Sequence, residues 1–129
     1  MRTIEVRTER RTQLVDITAQ VAEAARGEGR PEGVVLVFCP HTTAGLTLNE
    51  SYDPDVARDI EAVLARLAPR EGGYAHREGN ADAHVKASLV GSACLIPWVD
   101  GRLMLGTWQG VFLCEFDGPR TRRVMVHVL

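Results

Sequence analysis

The sequence predicts an α+β domain: a largely antiparallel β-sheet with helices packed on one face. Strand patterns dominate the chain, the segments between them carry hairpin turn signals, and the helical segments do not alternate with parallel strands. At 129 residues the chain is expected to form a single domain, 1–129, that buries about two-thirds of its unfolded surface. Such a core needs no disulfide bonds.

The N-terminal half supplies the first strands. Residues 2–8 alternate between apolar and polar side chains, which indicates a half-buried strand, and residues 14–17 are a candidate partner. Residues 34–39 form a continuous apolar run between Gly33 and Pro40, which predicts a buried strand. Residues 46–48 alternate again.

Two hairpins are predicted in the C-terminal half. Asp100 and Gly101 separate strand patterns at 93–99 and 102–105, and this pair favours a type I′ turn. A second turn at 117–120 separates strand patterns at 107–116 and 121–129.

Three helices are predicted between the strands. Thr18 is the expected N-cap of a helix at 19–26, which Gly27 ends. Asp53 is the expected cap of a second helix that begins at Pro54 and stops before Pro69. Asp82 is the expected cap of a third helix, at 83–90.

The composition excludes several classes of protein. Hydrophobic residues make up 45% and charged residues 25% of the chain, as in an ordinary globular domain. A net charge of −2 and the lack of basic runs argue against nucleic-acid binding, and no apolar run is long enough to cross a membrane. Cys39, Cys94 and Cys114 lie in apolar runs, so we expect buried thiols in a cytoplasmic protein.

Three of the four histidines lie in two polar segments. His41 follows the 34–39 strand, whereas His76 and His84 belong to the polar stretch 74–86. Three imidazoles with an open position would suit zinc, and Glu78 or Asp82 could act as acid or base beside them. The spacing alone is weak evidence, because loop histidines are usually just solvated.

Other polar residues allow both a structural and a functional interpretation. Asn80 and Asp82 favour turns and helix caps. Thr42 and Thr43 are either strand residues or hydroxyl groups that hold an anion, and Asn49 ends a strand or joins the same site. Alternation predicts that His127 lies on a strand face and is not a ligand. A large apolar residue such as Trp98 could serve an interface.

Four runs of sequence carry a family resemblance. They are residues 40–45 (PHTTAG), 78–84 (EGNADAH), 106–110 (GTWQG) and 115–120 (EFDGPR), in that order. Together they identify the chain as a member of the YjbQ-like family, from about Arg2 to Val128. The resemblance implies a small cytoplasmic homotrimer and a secondary thiamine-phosphate synthase activity. That reaction joins hydroxymethylpyrimidine diphosphate to a thiazole phosphate and releases pyrophosphate.

The resemblance also implies roles for individual residues. His41, His76 and His84 become the metal ligands, for zinc or a similar ion. Catalytic roles fall to Asp82, Glu78 and Asn80. The implied substrate-binding residues are Thr42, Thr43, Asn49, Trp108, Gln109 and Arg120.

The chemistry of the implied reaction fits such a site and leaves alternatives open. Loss of pyrophosphate needs stabilisation of negative charge, which a divalent ion and Arg120 would supply. Magnesium prefers oxygen ligands, so it would enter with the substrate instead of at the histidines. The alternatives are a non-catalytic trimeric module that binds a metal and a phosphorylated ligand, and a metal-dependent phosphoester hydrolase.

Overall fold

Eight strands and three helices make up the computed structural model, which describes residues 1–129. In chain order the elements are β1 (Arg2–Arg7), β2 (Gln13–Asp16), α1 (Thr18–Arg26), β3 (Glu32–Phe38), β4 (Ala44–Glu50), α2 (Pro54–Leu67), α3 (Ala81–Val90), β5 (Ala93–Val99), β6 (Arg102–Leu103), β7 (Gln109–Glu115) and β8 (Thr121–Val128). The predicted α+β class and the antiparallel pairing are confirmed.

The strands divide between two sheets, which the sequence patterns did not reveal. One sheet has five strands in the order β1-β8-β3-β5-β6, and the other has three in the order β2-β7-β4. Consecutive strands therefore alternate between sheets at several points. Periodicity identifies a strand and its buried face, but it carries no information about which sheet the strand joins.

The main core lies between the two sheets. The inward faces of β3 and β5 contribute Val35, Val37, Ile96 and Trp98, each no more than 1% exposed, and helix α1 adds Val21. Full burial of one such side chain contributes about 1.5–3 kcal/mol. Trp98 belongs to this core and its Nε1 donates to the carbonyl of Arg30 at 2.7 Å. Its predicted use at an interface is therefore wrong.

A smaller core covers the opposite face of the three-stranded sheet. Cys114 and Phe116 project from β7 and its end towards Ala83 of α3, with Leu64 of α2 packed alongside. Helices α2 and α3 thus lie on one face, as predicted, whereas α1 packs with strands of both sheets. This arrangement brings the start of α3 close to the C-terminal end of β7.

The helix boundaries confirm one predicted cap and correct two. Asp53 caps α2 and accepts a hydrogen bond from the N–H of Asp55 at 2.9 Å. Thr18 is already helical, and its hydroxyl donates to Asp16 Oδ1 at 2.6 Å. Helix α3 starts at Ala81 after Asn80, so Asp82 is inside the first turn instead of at the cap. In both corrected cases the helix begins earlier than the apolar pattern suggested.

The predicted hairpin turns are present. Asp100 and Gly101 both have positive φ, 51° and 71°, as a type I′ turn requires. Strand β6 is shorter than predicted, and Trp108 lies in a turn before β7. All three cysteines are free thiols; Cys39 and Cys114 are buried and Cys94 is half-buried. None of the three helices has the length and apolar character of a membrane span.

Candidate functional site

A polar cleft lies where three connections meet. The β3–β4 loop, the segment before α3 and the β7–β8 turn surround a volume of about 390 Å³. Apart from Pro40, every lining residue is polar or charged: Pro40, His41, Thr42, Thr43, Glu78, Asn80, His84, Asp117, Arg120 and Arg122. A surface concavity without apolar lining suits a charged or strongly polar ligand.

A buried ion pair forms the floor of this cleft. Arg122 is 5% exposed and Glu115 is fully buried, and the guanidinium holds the carboxylate through two nitrogens. Arg122 also donates to Thr43 Oγ1 at 2.8 Å, while Glu115 accepts from Thr8 Oγ1 at 2.8 Å and from the N–H of Asp117 at 3.1 Å. The pair therefore joins the β3–β4 loop, the end of β1 and the β7–β8 turn.

The charge state of Glu115 follows from these contacts. Burial alone would raise the pKa of its carboxyl group, but the hydrogen bonds from Arg122, Asp117 and Thr8 outweigh burial and leave the pKa below its ordinary value. Glu115 is therefore an anion in the folded protein and neutralises the charge of Arg122. Arg120 is the other arginine that lines the cleft.

Asp117 fixes the side of the cleft that carries Arg120. Its carboxylate accepts from Arg120 Nη2 at 3.0 Å, from Asn80 Nδ2 at 2.9 Å and from Arg11 Nη1 at 3.3 Å. Burial acts to raise the pKa of Asp117, but the hydrogen bonds from Asn80 and Arg120 outweigh it and lower the pKa. The Arg120 side chain is 53% exposed, so a positioned guanidinium reaches the cleft rim.

Asp82, a predicted acid or base, is enclosed by cations instead. One carboxylate oxygen accepts from Arg11 Nη2 at 3.0 Å and the other accepts from Lys86 Nζ at 3.0 Å. The side chain is 1% exposed, and it does not line the cleft. The structure gives Asp82 contacts that stabilise the start of α3, and its catalytic role stays a prediction that this geometry does not support.

His41 projects into the cleft in a defined tautomer. Its Nε2 accepts a hydrogen bond from the main-chain N–H of Arg123 at 3.0 Å. The proton of the neutral ring is therefore on Nδ1, which has no hydrogen-bond partner within the chain. Burial, followed by the charge of Arg122, lowers the pKa of His41, so the ring is neutral near pH 7. In this state His41 offers one N–H donor to a ligand.

The three predicted metal ligands are only partly brought together. The rings of His76 and His84 lie with centroids 5.3 Å apart and an interplanar angle of 71°, and His84 shares the cleft with His41. No three His, Cys, Asp or Glu side chains are arranged to hold a metal ion. While Nε2 accepts from Arg123 and Nδ1 carries the proton, neutral His41 has no free lone pair, so it could bind an ion only by giving up its bond to Arg123. As placed, the set does not fit a three-imidazole site, and metal binding stays a prediction.

Asn80 and Glu78 occupy different environments beside His84. The Asn80 amide is oriented by its bond to Asp117, and its Oδ1 is buried without a hydrogen-bond donor. The Glu78 side chain is 80% exposed at the rim, with Oε2 3.8 Å from Nε2 of His76. Of the three predicted catalytic residues, Glu78 is therefore the one that solvent and a ligand reach freely.

The predicted substrate-binding residues fall into two groups. Thr42, Thr43 and Arg120 line the cleft. Asn49, Trp108 and Gln109 lie at the opposite end of the three-stranded sheet, because Asn49 pairs with Gly110 whereas Ala44 pairs with Glu115. Five residues of strand separate the two ends by about 16 Å. Within one chain these three residues do not reach the cleft, and their binding role stays a prediction.

Reasoning from the sequence did not assign a site role to three residues that shape the cleft. Glu115, Asp117 and Arg122 lie near the β7–β8 turn, inside or beside a motif that was noted only for its family resemblance. The available signal was an acidic residue at the end of an apolar strand, seven positions before an arginine near the start of the next strand. Such a pair across a hairpin predicts a buried ion pair.

His127 has the structural role that was predicted for it. Its Nδ1 lies 2.7 Å from Oε1 of Glu28, on the side of β8 that faces away from the core. Burial would raise the pKa of Glu28, but its hydrogen bonds with the N-terminal amine, Val128 and His127 lower it to about 2. This cluster is remote from the cleft residues.

The fold and the cleft define a class of protein: a small α+β domain with a preorganised, cation-bearing polar cleft at the edge of a three-stranded sheet. The family model for UPF0047 protein YjbQ-like matches residues 2–129, so the chain belongs to the YjbQ/UPF0047 family. It is 45% identical to UPF0047 protein MJ1081 of Methanocaldococcus jannaschii, over 97% of this chain and 91% of the relative. It is 42% identical to UPF0047 protein YugU of Bacillus subtilis, over 100% and 98%.

Solved structures show the same fold. An uncharacterized conserved protein of the yjbq/upf0047 family from Clostridium acetobutylicum superposes with a TM-score of 0.97 at 48% identity and full coverage of both chains. The conserved hypothetical protein TT1486 from Thermus thermophilus gives a TM-score of 0.94 at 47% identity, again with full coverage of both chains. The sequence-based assignment to this family is confirmed.

Proposed function

We propose that this protein is a transferase that acts on small phosphorylated substrates in the polar cleft. One observation carries the proposal: Arg120 and His41, whose Nδ1 is free to donate, both line a polar cleft above the neutralised Glu115–Arg122 pair. A planar guanidinium matches phosphate oxygens in a bidentate manner. The family resemblance suggests that the reaction is the synthesis of thiamine phosphate.

The cleft residues suit the charge that this reaction develops. The lone pair of the thiazole ring nitrogen forms a new bond to the pyrimidine methylene carbon while the bond from that carbon to the diphosphate oxygen breaks, and the electron pair of the broken bond leaves with pyrophosphate. Arg120 would then stabilise the new charge, and His41 would donate a hydrogen bond from Nδ1. Asp117 holds Arg120 in place, and the Glu115–Arg122 pair holds the two loops, so little reorganisation is needed.

A metal ion is a separate part of the proposal. His76 and His84 are adjacent and could supply two ligands, whereas His41 would join only by exchanging its bond to Arg123. A zinc-like ion there, or magnesium carried by the substrate, would neutralise phosphate charge when bound. The roles of Arg120 and His41 described above do not depend on it.

Substitution of Arg120 tests the proposal. Arg120→Ala should lower kcat/KM for the coupling of the pyrimidine diphosphate with the thiazole phosphate by about 10²-fold, and Arg120→Lys should recover part of this loss. Arg66→Ala, an exposed arginine of α2, is the matched control and should leave kcat/KM unchanged. Full activity of Arg120→Ala would contradict the proposal.

The chain also offers a surface for the proposed homotrimer. The outer face of the five-stranded sheet exposes Val34, Phe38, Leu95 and Val99, which are 37–61% accessible and lie on neighbouring strands β3 and β5. Apolar groups concentrated on one sheet face favour burial against another protein surface. We assign this face to contacts between copies of the chain, and we place the trimer in the cytoplasm, where free thiols persist.

A further inference from the structure

The loop between α2 and α3 encloses a second polar cavity beside the cleft. Its volume is about 460 Å³, and its lining includes Arg70, Arg77, His76 and the carboxylate-bearing Glu71. Neither arginine takes part in any of the ion pairs of the chain. Two free guanidinium groups against one carboxylate leave the cavity with an excess positive charge.

The loop around this cavity is held in a fixed shape. The hydroxyl of Tyr74 donates to the carbonyl of Pro69 at 2.6 Å, which closes the loop on itself. A Cβ atom at Gly72 would lie 2.7 Å from Cζ of the same tyrosine ring, so a larger residue there would displace the ring. Gly73 has a positive φ of 68°, which glycine adopts without strain. The Tyr74–Pro69 bond and the two glycines therefore shape the loop that borders the cavity.

A mostly apolar pocket adjoins both the cavity and the cleft. This pocket is lined by Tyr74, Ala75, His76, Ala81, His84 and Val85; it shares Tyr74, His76 and Ala81 with the cavity and His84 with the cleft. The close rings of His76 and His84 mark the junction. The three neighbouring pockets, together called the trough, have arginines in the lining of the two outer ones and a mostly apolar lining in the middle one.

We infer that the 70–77 loop is a second phosphate-binding subsite, which receives the phosphate group of a second substrate while the first occupies the His41–Arg120 cleft. The inference rests on the proposed function, since it assigns the two ends of the trough to the two phosphorylated partners of the transfer. Arginines bind phosphate oxygens at each end. The uncharged ring portions of the two molecules meet in the apolar middle, beside His76 and His84.

Inorganic phosphate can probe both ends separately. We would titrate it into the ¹⁵N-labelled protein at constant ionic strength, set with sodium chloride, and follow backbone amide shifts. We expect two saturable groups of shifts, one at residues 72–77 and one at His41 and its neighbours. Arg70→Ala/Arg77→Ala should raise the Kd of the first group by about tenfold and leave the second within about twofold.

The controls separate this inference from the proposed function. Arg66→Ala/Arg102→Ala removes the same charge from exposed sites without ion pairs and should leave both Kd values within about twofold. If residues 72–77 fail to respond, or if their Kd is the same in both double variants, the second subsite does not exist. If only the 72–77 group responds in the wild type, the subsite stands and the function proposed for the cleft fails. The amide spectrum itself shows whether each variant is folded.

Discussion

His41 and Arg123 are joined by a hydrogen bond in which Nε2 of the ring accepts the main-chain N–H at 3.0 Å. This contact fixes the tautomer of His41 and directs its only proton to Nδ1. It also ties the β3–β4 loop to β8, so the ring is held against the adjacent strand. His41 is therefore placed to donate to a ligand, and not to accept a proton from one.

Loss of this donor should reduce turnover. His41→Ala removes a hydrogen bond to the charge that develops on the phosphate, so kcat is expected to fall by about 10²–10³-fold. His127→Ala is the matched control, since His127 pairs with Glu28 away from the cleft, and its kcat should equal that of the wild type. Steady-state assays of the coupling reaction make the comparison. Unchanged kcat in His41→Ala would remove His41 from the chemistry.

Acid should destabilise the protein through Glu115. Because folding lowers its pKa, Glu115 contributes stability above the unfolded pKa of about 4.3, and the contribution is lost as pH falls through the lower folded value. Glu115→Gln should therefore be less stable near pH 7 and should lose less stability than the wild type below pH of about 4. Urea unfolding followed across this pH range measures both effects. Parallel pH curves for the two proteins would contradict the assignment.

The buried pair also makes a prediction about single and double substitutions. Arg122→Met leaves the Glu115 carboxylate buried without its cation, which should cost about 3–5 kcal/mol in unfolding free energy. Arg122→Met combined with Glu115→Leu should recover a large part of that cost, because no buried charge remains. Chemical denaturation of both variants tests this. A double variant as unstable as Arg122→Met would show that the pair matters for shape and not for charge.

The proposed homotrimer predicts a change in mass. Leu95 is 61% exposed on the outer face of the five-stranded sheet, so Leu95→Asp should place charges in the interface and yield single chains. Light scattering coupled to size-exclusion chromatography gives the mass directly. Met104→Asp, which changes another exposed apolar residue beyond β6, serves as the comparison and should keep the mass of three chains. A wild type with the mass of one chain would refute the trimer.

The metal proposal can be tested in two independent ways. Elemental analysis should find a zinc-like ion in the wild type and in His127→Ala but not in His84→Ala. The backbone amide resonance of Arg123 then shows whether His41 is the third ligand. This resonance should shift on metal addition only if His41 gives up its hydrogen bond to Arg123 in order to bind the ion. A wild type that contains no metal and takes up no added zinc would exclude this part of the proposal.

The sequence revealed the elements of the fold better than their arrangement. Alternation and turn residues located the strands, and Asp53 and Pro54 located α2, because those signals are local. The division into two sheets depends on pairing between distant segments, such as β3 with β8, and no local pattern encodes it. For the same reason the resemblance named Thr42 and Trp108 together, although they lie at opposite ends of the three-stranded sheet.

Prediction of the site from the sequence was limited in the same way. His41, Asn80, His84 and Arg120 were named from their residue types and motifs, and the fold brings them to one cleft. Asp82 was chosen because a carboxylate near histidines is chemically attractive, but Arg11, 71 residues away, occupies one of its oxygens. Whether a carboxylate faces a ligand or a buried cation depends on such distant partners, which the sequence pattern does not show.

The function proposed for the cleft is the coupling of two phosphorylated substrates, and analysis of the reaction products tests it. Purified wild type would be incubated with hydroxymethylpyrimidine diphosphate and thiazole phosphate, and the products separated and identified. We expect thiamine phosphate and pyrophosphate in equal amounts, with both formed about 10²-fold more slowly by Arg120→Ala. Orthophosphate without a coupled product would indicate a hydrolase, and unchanged substrates in every condition would contradict the enzymatic account.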